Sequence, residues 1–402
     1  MANKTFDYGD LRISMTSSYT WNWDDTGSGA SRDVGVWTPN SQGDLYPVGS
    51  HVEPHHNDIN GKRGSLIVGQ NPNTKPSKSA VARPVDYTEI WRDTKSGATK
   101  NGAFWRPVPP AGYVALGDVG SDHNKPNVNK IWCVREDLVG YGRFLATSVW
   151  DDVKSGAAKD VSLWSVETDT VGIDGASNLP IAGDTFRTQG NYSRPDGEAA
   201  RVLQLPIGKH FKQFDTAIPT LDAKKLPEKG KQYSNQEQCK VTLPFHCYFG
   251  PTHQASLDNI RNPFLDISRS IAWYVEGVWA NQTPSAFSRA QEITCGVSKE
   301  EREEMTHSTG VDVSASYGIG LASGSVSLNY QFTYNTSTSF TEYSEKKVTE
   351  SFQVDPYYAK VLFSKHVWIK CARYDSSVVL HQMEVISTDD LYFGGCKLPG
   401  GT

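Results

Sequence analysis

The chain of 402 residues lacks the marks of several protein classes. No run of about 18 apolar residues is present, so no transmembrane helix is predicted. The net charge of −5 comes without any cluster of Lys and Arg, which argues against nucleic acid as a partner. The N-terminus has no apolar segment of the kind that a conventional signal peptide needs. We therefore expect a soluble protein that is made in a cytoplasm and either stored there or released.

Motifs that mark catalytic and metal sites are missing as well. There is no G-x-S-x-G, H-E-x-x-H or P-loop, and no G-x-G-x-x-G in a usable context. The six cysteines are scattered without C-x-x-C spacing. His51, His55, His56 and Asp58 are interpreted as a solvent-exposed loop rather than a metal site, because Pro, Asn and Gly surround them. We expect no enzyme activity, no metal and no cofactor.

What the chain has in quantity is typical of β-structure. It contains 35 Gly, 11% aromatic residues and few stretches with a helical period. We predict an all-β protein, with an N-terminal pseudo-threefold β-prism-like domain over 1–203 and a connecting segment over 204–262. An elongated β-module with an amphipathic hairpin is predicted over 263–402.

The N-terminal prediction depends on a repeat. The pattern W-x-D-x-x-S-G-A occurs three times, and a second Trp follows at the same spacing in each copy. The copies begin at Trp23, Trp91 and Trp150. In each, Asp is expected to cap a turn, Gly to supply a positive φ, and Trp to pack inward. Three units that cannot bury a face alone predict a shared core, with a β-trefoil as the weaker alternative because the copies start 68 and 59 residues apart.

The Trp and Asp side chains that recur in the three copies have two interpretations. Core packing is favoured for the tryptophans and turn capping for the aspartates, while the alternative is a receptor site in which Trp stacks on a sugar and Asp accepts its hydroxyl groups. The candidate receptor-binding residues are Trp23, Asp25, Trp91, Asp93, Trp150 and Asp152.

An uncharged alternating segment dominates the C-terminal half. No charged residue lies between Val313 and Thr341, and the apolar parity changes at a tip of small residues. This predicts a hairpin over about 311–341 whose arms have the roughly 9–11 residues needed to cross a bilayer. The positions predicted to face lipid are Val313, Ala315, Tyr317, Ile319, Leu321, Val326, Leu328, Tyr330, Phe332 and Tyr334. The positions predicted to face a water-filled lumen are Ser314, Ser316, Gly318, Gly320, Ser325, Ser327, Asn329, Gln331 and Thr333. An ordinary amphipathic hairpin on a soluble core is the alternative.

Two family resemblances accompany these patterns. Stretches such as Ala82 to Thr88 and Phe104 to Pro107 resemble the vacuolar-protein-sorting-associated "sixty-two" domain over roughly the first half. The long strands around the uncharged hairpin resemble the aerolysin-like β-pore-forming module. Together they imply a receptor-binding head joined to a pore-forming module that acts at a target-cell membrane. The expected partners are membrane lipid, a cell-surface glycan or both, and further copies of the chain in a ring. The rival hypothesis is a non-lytic lectin-like or trafficking protein whose β-module mediates self-association.

Overall fold

A computed structural model describes residues 2–168, 178–207, 212–213, 217–245, 250–296, 345–373, 383–386 and 391–399. These residues are almost entirely in strands, turns and loops, which confirms the all-β class. The exceptions are α1 (Gln254–Asp258) and three 3₁₀ turns, Val128–Lys130, Glu136–Leu138 and Gly197–Ala199. Among the described residues, no helix has the length and apolarity to cross a membrane.

The chain divides into two compact units. The first comprises Met1–Gly208 and Pro244–Phe264, and the second comprises Lys209–Leu243 with the described residues from Leu265 onward. The strands of the first unit are β1 (Phe6–Tyr8), β2 (Leu11–Thr16), β3 (Tyr19–Asp24), β4 (Gly35–Pro39), β5 (His51–Glu53), β6 (Ser65–Gln70), β7 (Val81–Ala82), β8 (Asp86–Arg92), β9 (Ala103–Val108), β10 (Tyr113–Val114), β11 (Val119–Ser121), β12 (Cys133–Arg135), β13 (Val139–Tyr141), β14 (Arg143–Phe144), β15 (Trp150–Asp151), β16 (Ser162–Glu167), β17 (Asn178–Ile181), β18 (Phe186–Gln189) and β19 (Arg201–Pro206).

The described strands of this unit form small antiparallel sheets, two in each sequence repeat. In the first repeat the sheet β1-β2-β6 accompanies β3-β4-β5, and in the second β10-β12-β7 accompanies β11-β9-β8. In the third, β13-β19-β17 accompanies a sheet in which β14, β15 and β18 all pair with β16. The threefold repeat of the sequence is therefore a threefold repeat of sheet pairs.

The turn of the first copy shows what each residue of W-x-D-x-x-S-G-A does. Asp25 accepts the N–H of Val34 at 2.9 Å, and Ser28 accepts the N–H of Ala30 at 3.1 Å. Gly29 adopts a φ of 73°, in the left-handed region that favours glycine. The third copy repeats these bonds, with Asp152 bonded to Val161 at 2.9 Å. The capping and glycine roles were predictable because both are properties of single residues.

The first Trp of each copy lies at the centre of the unit. Ring centroids of Trp23, Trp91 and Trp150 are 5.8, 5.8 and 6.3 Å apart, in edge-to-face contacts. Each indole N–H also donates to a backbone oxygen of the next repeat. The bonds run from Trp23 to Lys100 at 2.9 Å, from Trp91 to Lys159 at 2.8 Å, and from Trp150 to Arg32 at 2.8 Å. We call this closed cycle the Trp ring.

The second unit is built on longer strands. They are β20 (Lys212–Gln213), β21 (Gln232–Pro244), β22 (Phe264–Asn281), β23 (Phe287–Cys295), β24 (Lys346–Val354), β25 (Tyr358–Ala372), β26 (Met383–Ile386) and β27 (Tyr392–Lys397). The main sheet has the order β20-β21-β22-β25-β26, with β27 also paired to β25, while β23 and β24 form a separate pair. Strand β21 lies inside the segment predicted to be a connection. Its alternation is hidden in the sequence because Asn235 and Glu237 interrupt the apolar series that ends at Leu243.

Apolar side chains cover both faces of the main sheet. Val361 and Phe363 pack with Trp273 on one face, and Leu362 packs with Ile293 of β23 on the other. The pair β23-β24 is therefore held against the sheet of its own unit by buried contacts.

Gly102 tests the packing of the Trp ring. It has no positive φ, and a Cβ there would lie 2.5 Å from a carbon of the Trp23 indole. Gly102→Ala should lower the free energy of unfolding by about 1–3 kcal/mol, because the Trp23 indole cannot move away from the added methyl group without breaking its own hydrogen bond. Gly190→Ala is the control, since a Cβ at Gly190 meets nothing within 4 Å. Urea unfolding that gives equal stability for the two variants would contradict the close contact.

Candidate functional site

The six candidate receptor-binding side chains lie in the interior of the first unit. Each of the three tryptophans is 1% exposed, and the three aspartates are 3%, 7% and 4% exposed. Side chains buried to this degree offer no face to a sugar. The structure therefore corrects the receptor hypothesis for Trp23, Asp25, Trp91, Asp93, Trp150 and Asp152: they form the Trp ring and its turns.

The histidine-rich stretch agrees in part with the expectation of an exposed loop, since His56 and Asp58 are exposed in the loop after β5, while His51 lies on β5. His51 is buried, whereas His56 bonds to Asp25 at 2.7 Å, so the stretch does not converge on one point. Ligand atoms of His56, Asp25 and Asp33 do lie within 4.8 Å of one another. Both oxygens of Asp25 already accept hydrogen bonds, from Val34 and Trp150, so we assign this carboxylate to the turn.

A buried polar network surrounds His51. Arg63 donates to Glu53 at 3.0 Å and pairs with both oxygens of Asp184, while His51 bonds to Glu53 at 2.9 Å. Burial and Arg63 act to lower the pKa of His51, but Asp184 and Glu53 raise it above its usual value. Burial opposes ionisation of Asp184, yet Arg63 and His51 hold its pKa well below the usual range. No sequence pattern predicted Asp184 as a partner, because it lies in the third repeat and 121 residues from Arg63.

The predicted lipid-facing and lumen-facing positions, Val313 to Tyr334, lie outside the described residues. The strands that precede and follow them are described. β23 and β24 pair antiparallel through nine residues each, from Phe287 opposite Val354 to Cys295 opposite Lys346. The chain thus enters and leaves the segment on adjacent, hydrogen-bonded strands.

The two faces of this strand pair differ. Odd positions of β23 and even positions of β24 point the same way, and they include the buried Ile293, Phe352 and Val354. The opposite face carries exposed polar residues such as Glu292 and Lys347, which form an ion pair at 2.8 Å. This surface ion pair adds little stability but marks the face as one that lies in water.

A polar cluster crosses three strands of the main sheet. Nδ1 of His366 on β25 lies 2.5 Å from Glu384 on β26, and Nε2 lies 2.8 Å from the hydroxyl of Ser364. Ser364 donates in turn to Glu276 on β22 at 2.5 Å. The Tyr274 ring covers the imidazole with centroids 4.1 Å apart. We call these side chains the His366 cluster.

The bonding pattern requires a charged imidazole. Since the Ser364 hydroxyl donates to Glu276, its oxygen accepts from Nε2 of His366, and Nδ1 donates to Glu384. Both ring nitrogens then carry protons. Burial would lower the pKa of His366, but the two carboxylates raise it above 6.5, while His366 lowers the pKa of Glu276 below 4.5.

The order Ser, His, Glu is also that of a catalytic triad, and the structure distinguishes the two. Ser364 is 0% exposed and gives its proton to Glu276, so its oxygen is neither reachable nor activated by His366. The His366 cluster therefore joins strands and does not present a nucleophile.

Comparison with known proteins agrees with the first of the two resemblances. The family described as Vacuolar protein sorting-associated protein 62 matches residues 1–225. The chain belongs to this family. Membership confirms the resemblance drawn from the Trp and Gly framework of the N-terminal half. The match covers the strands of the first unit before its Pro244–Phe264 segment.

Two solved structures are similar to this chain. GNIP1Aa from Chromobacterium piscinae is 28% identical with a TM-score of 0.39, and the match covers 48% of this chain and 37% of that chain. Cry35Ab1 is 9% identical with a TM-score of 0.37, over 97% of this chain and 90% of that chain. No curated protein matches the chain.

The His366 cluster should make stability depend on pH. A histidine with a raised pKa contributes in full below its usual 6.5, and the contribution is lost as pH rises through the raised value. Glu276, with a lowered pKa, contributes above 4.5 and loses its contribution as pH falls through the lowered value. Between those limits the difference in unfolding free energy between the wild type and His366→Gln should be largest, and it should shrink above pH 6.5. If the difference in unfolding free energy does not vary with pH, His366 has a packing role only. NMR titration of the histidines measures the pKa of His366 directly.

Proposed function

We propose that this chain is a pore-forming protein. The first unit binds a receptor on the membrane surface, copies of the chain assemble into a ring, and each copy contributes residues 311–341 as one hairpin of a shared transmembrane barrel. The hairpin is inferred from the sequence of that segment and from the strands that flank it.

The observation that carries the proposal is that the flanking strands and the segment between them have their apolar side chains at positions of the same parity. In the described pair, the buried apolar side chains fall at odd positions of β23 (Ile293, Cys295) and even positions of β24 (Phe352, Val354), on a face that also carries Arg289 and Glu350 farther along. In the sequence beyond it, Val313 to Leu321 are apolar at odd positions and Val326 to Tyr334 at even positions. Strand side chains alternate with a period of two, so pairing that continues in the same parity, with the register shifted to place the turn at 322–324, carries the same face outward. The two halves of the pattern therefore support one long hairpin.

The distribution of charge supports the same division. The described pair carries Arg289, Glu292, Lys346, Lys347 and Glu350, whereas no charge follows between Val313 and Thr341 until the chain returns. Charged side chains suit a stem in water, and an uncharged apolar face suits hydrocarbon. A closed barrel gives each backbone N–H and C=O a partner in lipid, which one hairpin cannot do.

Release of dye from lipid vesicles separates this function from its rival. The full chain should release an entrapped dye and lyse susceptible cells in a dose-dependent way. A lectin-like or trafficking protein that only self-associates would bind or cluster the vesicles and leave the dye inside. Binding without release at any dose would reject the pore.

Charge substitutions test the two faces separately. Leu328→Asp or Ile319→Lys places a charge against lipid at a cost of up to about 2–4 kcal/mol per strand, less for Asp. Every copy in a ring carries the cost, so pores should fail while binding and solubility persist.

The matched variants Ser327→Glu and Gln331→Lys point into the lumen, where water solvates the charge. Both should still form pores in single-channel recordings, with selectivity moved towards cations by Glu and towards anions by Lys. Equal tolerance on both faces, or unchanged selectivity in the lumen pair, would mean that the segment does not line a pore.

A further inference from the structure

We propose that a pocket in the first unit binds a single neutral sugar ring, the terminal residue of a glycan. The pocket has a volume of about 220 Å³ and lies beside the loop that joins β5 to β6. The inference deepens the proposed function, because it gives the receptor a chemical class and a place on the protein. The pocket, and not the set of buried Trp and Asp side chains, is then the receptor site.

The walls of the pocket come from two parts of the first unit. Glu53, His55, Asp58 and Lys62 line one side, and Thr252 lines the other. The second wall is tied down next to the pocket, since the N–H of Gly64 donates to the carbonyl of Pro251 at 2.8 Å. A site whose walls are fixed before binding loses little entropy when the ligand arrives.

Part of the pocket lining is polar and preorganised. Arg63 and Glu53 are 15% and 19% exposed, and their ion pair at 3.0 Å is backed by Asp184 and His51. Arg63 has five N–H donors, and its contacts with Glu53 and Asp184 leave some of them for a ligand. Ile59 adds a small apolar surface to the lining.

Charge balance selects the class of ligand. The lining carries two acidic side chains, Glu53 and Asp58, and two basic ones, Lys62 and Arg63, so its formal charges cancel. A phosphate or carboxylate would meet the two carboxylates as well as the two cations. A sugar hydroxyl both donates and accepts, and it therefore matches a lining that holds fixed acceptors and fixed donors together.

One buried atom of the lining lacks a partner in this structure. Nδ1 of His55 is shielded from solvent and makes no hydrogen bond, and Nε2 lies 4.0 Å from Glu53. A ligand cannot reach the shielded Nδ1, but the His55 side chain is 41% exposed and its Nε2 is too far from Glu53 for a hydrogen bond, so Nε2 is the ring nitrogen that a ligand hydroxyl could bond. The volume is below the roughly 300–1,000 Å³ of sites for drug-sized ligands, which limits the occupant to one ring.

The second repeat provides a matched control. Asp58 accepts the N–H of Asn60 at 3.1 Å, and Asp122 makes the same turn with Asn124 at 2.9 Å, also on an exposed loop. Asp58→Ala and Asp122→Ala thus remove the same local bonds, but only Asp58 lines the pocket. His55→Phe keeps an aromatic ring and removes both ring nitrogens, including the accessible Nε2.

Titration of the full chain with six free sugars tests the proposal: glucose, galactose, mannose, fucose, N-acetylglucosamine and N-acetylgalactosamine, followed by calorimetry at millimolar concentration. At least one should bind, and Asp58→Ala and His55→Phe should each weaken it by about tenfold or more while Asp122→Ala does not. Thermal melts of the two aspartate variants should agree, which excludes unfolding as the cause.

Three results would overturn the proposal: no binding of any of the six sugars, equal loss in both aspartate variants, or binding of phosphocholine or inorganic phosphate in their place. Dye release distinguishes a failure of the sugar-site proposal from a failure of the pore proposal. At high protein dose, vesicles without glycan should still be permeabilised by the wild type and by Asp122→Ala if the pore proposal is right. Sugar binding without any dye release by the wild type would reject the pore and keep the pocket.

Discussion

The first unit depends on the cyclic hydrogen bonding of the Trp ring. Each indole N–H of Trp23, Trp91 and Trp150 donates to groups of the next repeat, a carbonyl in every case and the Asp25 carboxylate as well for Trp150, so no repeat can complete its own core. Backbone bonds follow the same cycle, with Thr99 donating to Thr26 at 2.7 Å and Ala158 to Thr94 at 2.9 Å. A buried donor left without its acceptor costs more than a hydrogen bond contributes, so removal of one repeat would strand groups in the other two. The three repeats are therefore expected to fold as one cooperative unit.

That closure lets the outer loops diverge. Three 3₁₀ turns are described in the loops of the second and third repeats, whereas the loop between β5 and β6 in the first repeat has none and borders the pocket. No group of these loops takes part in the cycle of indole-to-carbonyl bonds, although His56 of the β5–β6 loop bonds to Asp25 at 2.7 Å and Arg63 of the same loop pairs with Glu53 and Asp184. Symmetry in the interior and asymmetry at the surface are thus compatible, because the indole-to-carbonyl bonds of the ring do not require these loops to be alike.

The sequence predicted those features that a local pattern encodes. The all-β class, the threefold repeat and the turn roles of Asp25 and Gly29 follow from residue chemistry at fixed spacing. The buried position of the tryptophans was the favoured interpretation, while their receptor role was wrong, since one pattern serves a core and a binding face alike. Asp184 and the His366 cluster could not be predicted. Their partners lie far along the chain, as with Ser364 and Glu276 at a separation of 88 residues, and no periodicity marks a long-range polar contact.

The second unit combines long paired strands, which stabilise a sheet, with a charged polar cluster, which stabilises it little. Long strands such as β22 and β25 pair over 15 residues, which favours a rigid body. The His366 cluster places charge inside that body, and buried ion pairs are weak sources of stability although breaking one partner is costly. Such a cluster makes the join between β25 and β26 conditional on protonation, while the apolar contacts of Ile293 and Leu362 that hold β23 against the sheet are not. The strand pair that leads into residues 311–341 is also hydrogen-bonded to the main sheet. Lys360 donates to the carbonyl of Gln353 at 2.9 Å, and Gly296, directly after β23, exchanges two backbone hydrogen bonds with Ile386 at the end of β26. The contacts that depend on protonation and those that do not therefore share two strands, because Leu362 and His366 both lie on β25 and Ile386 of β26 packs against the cluster of Ile293.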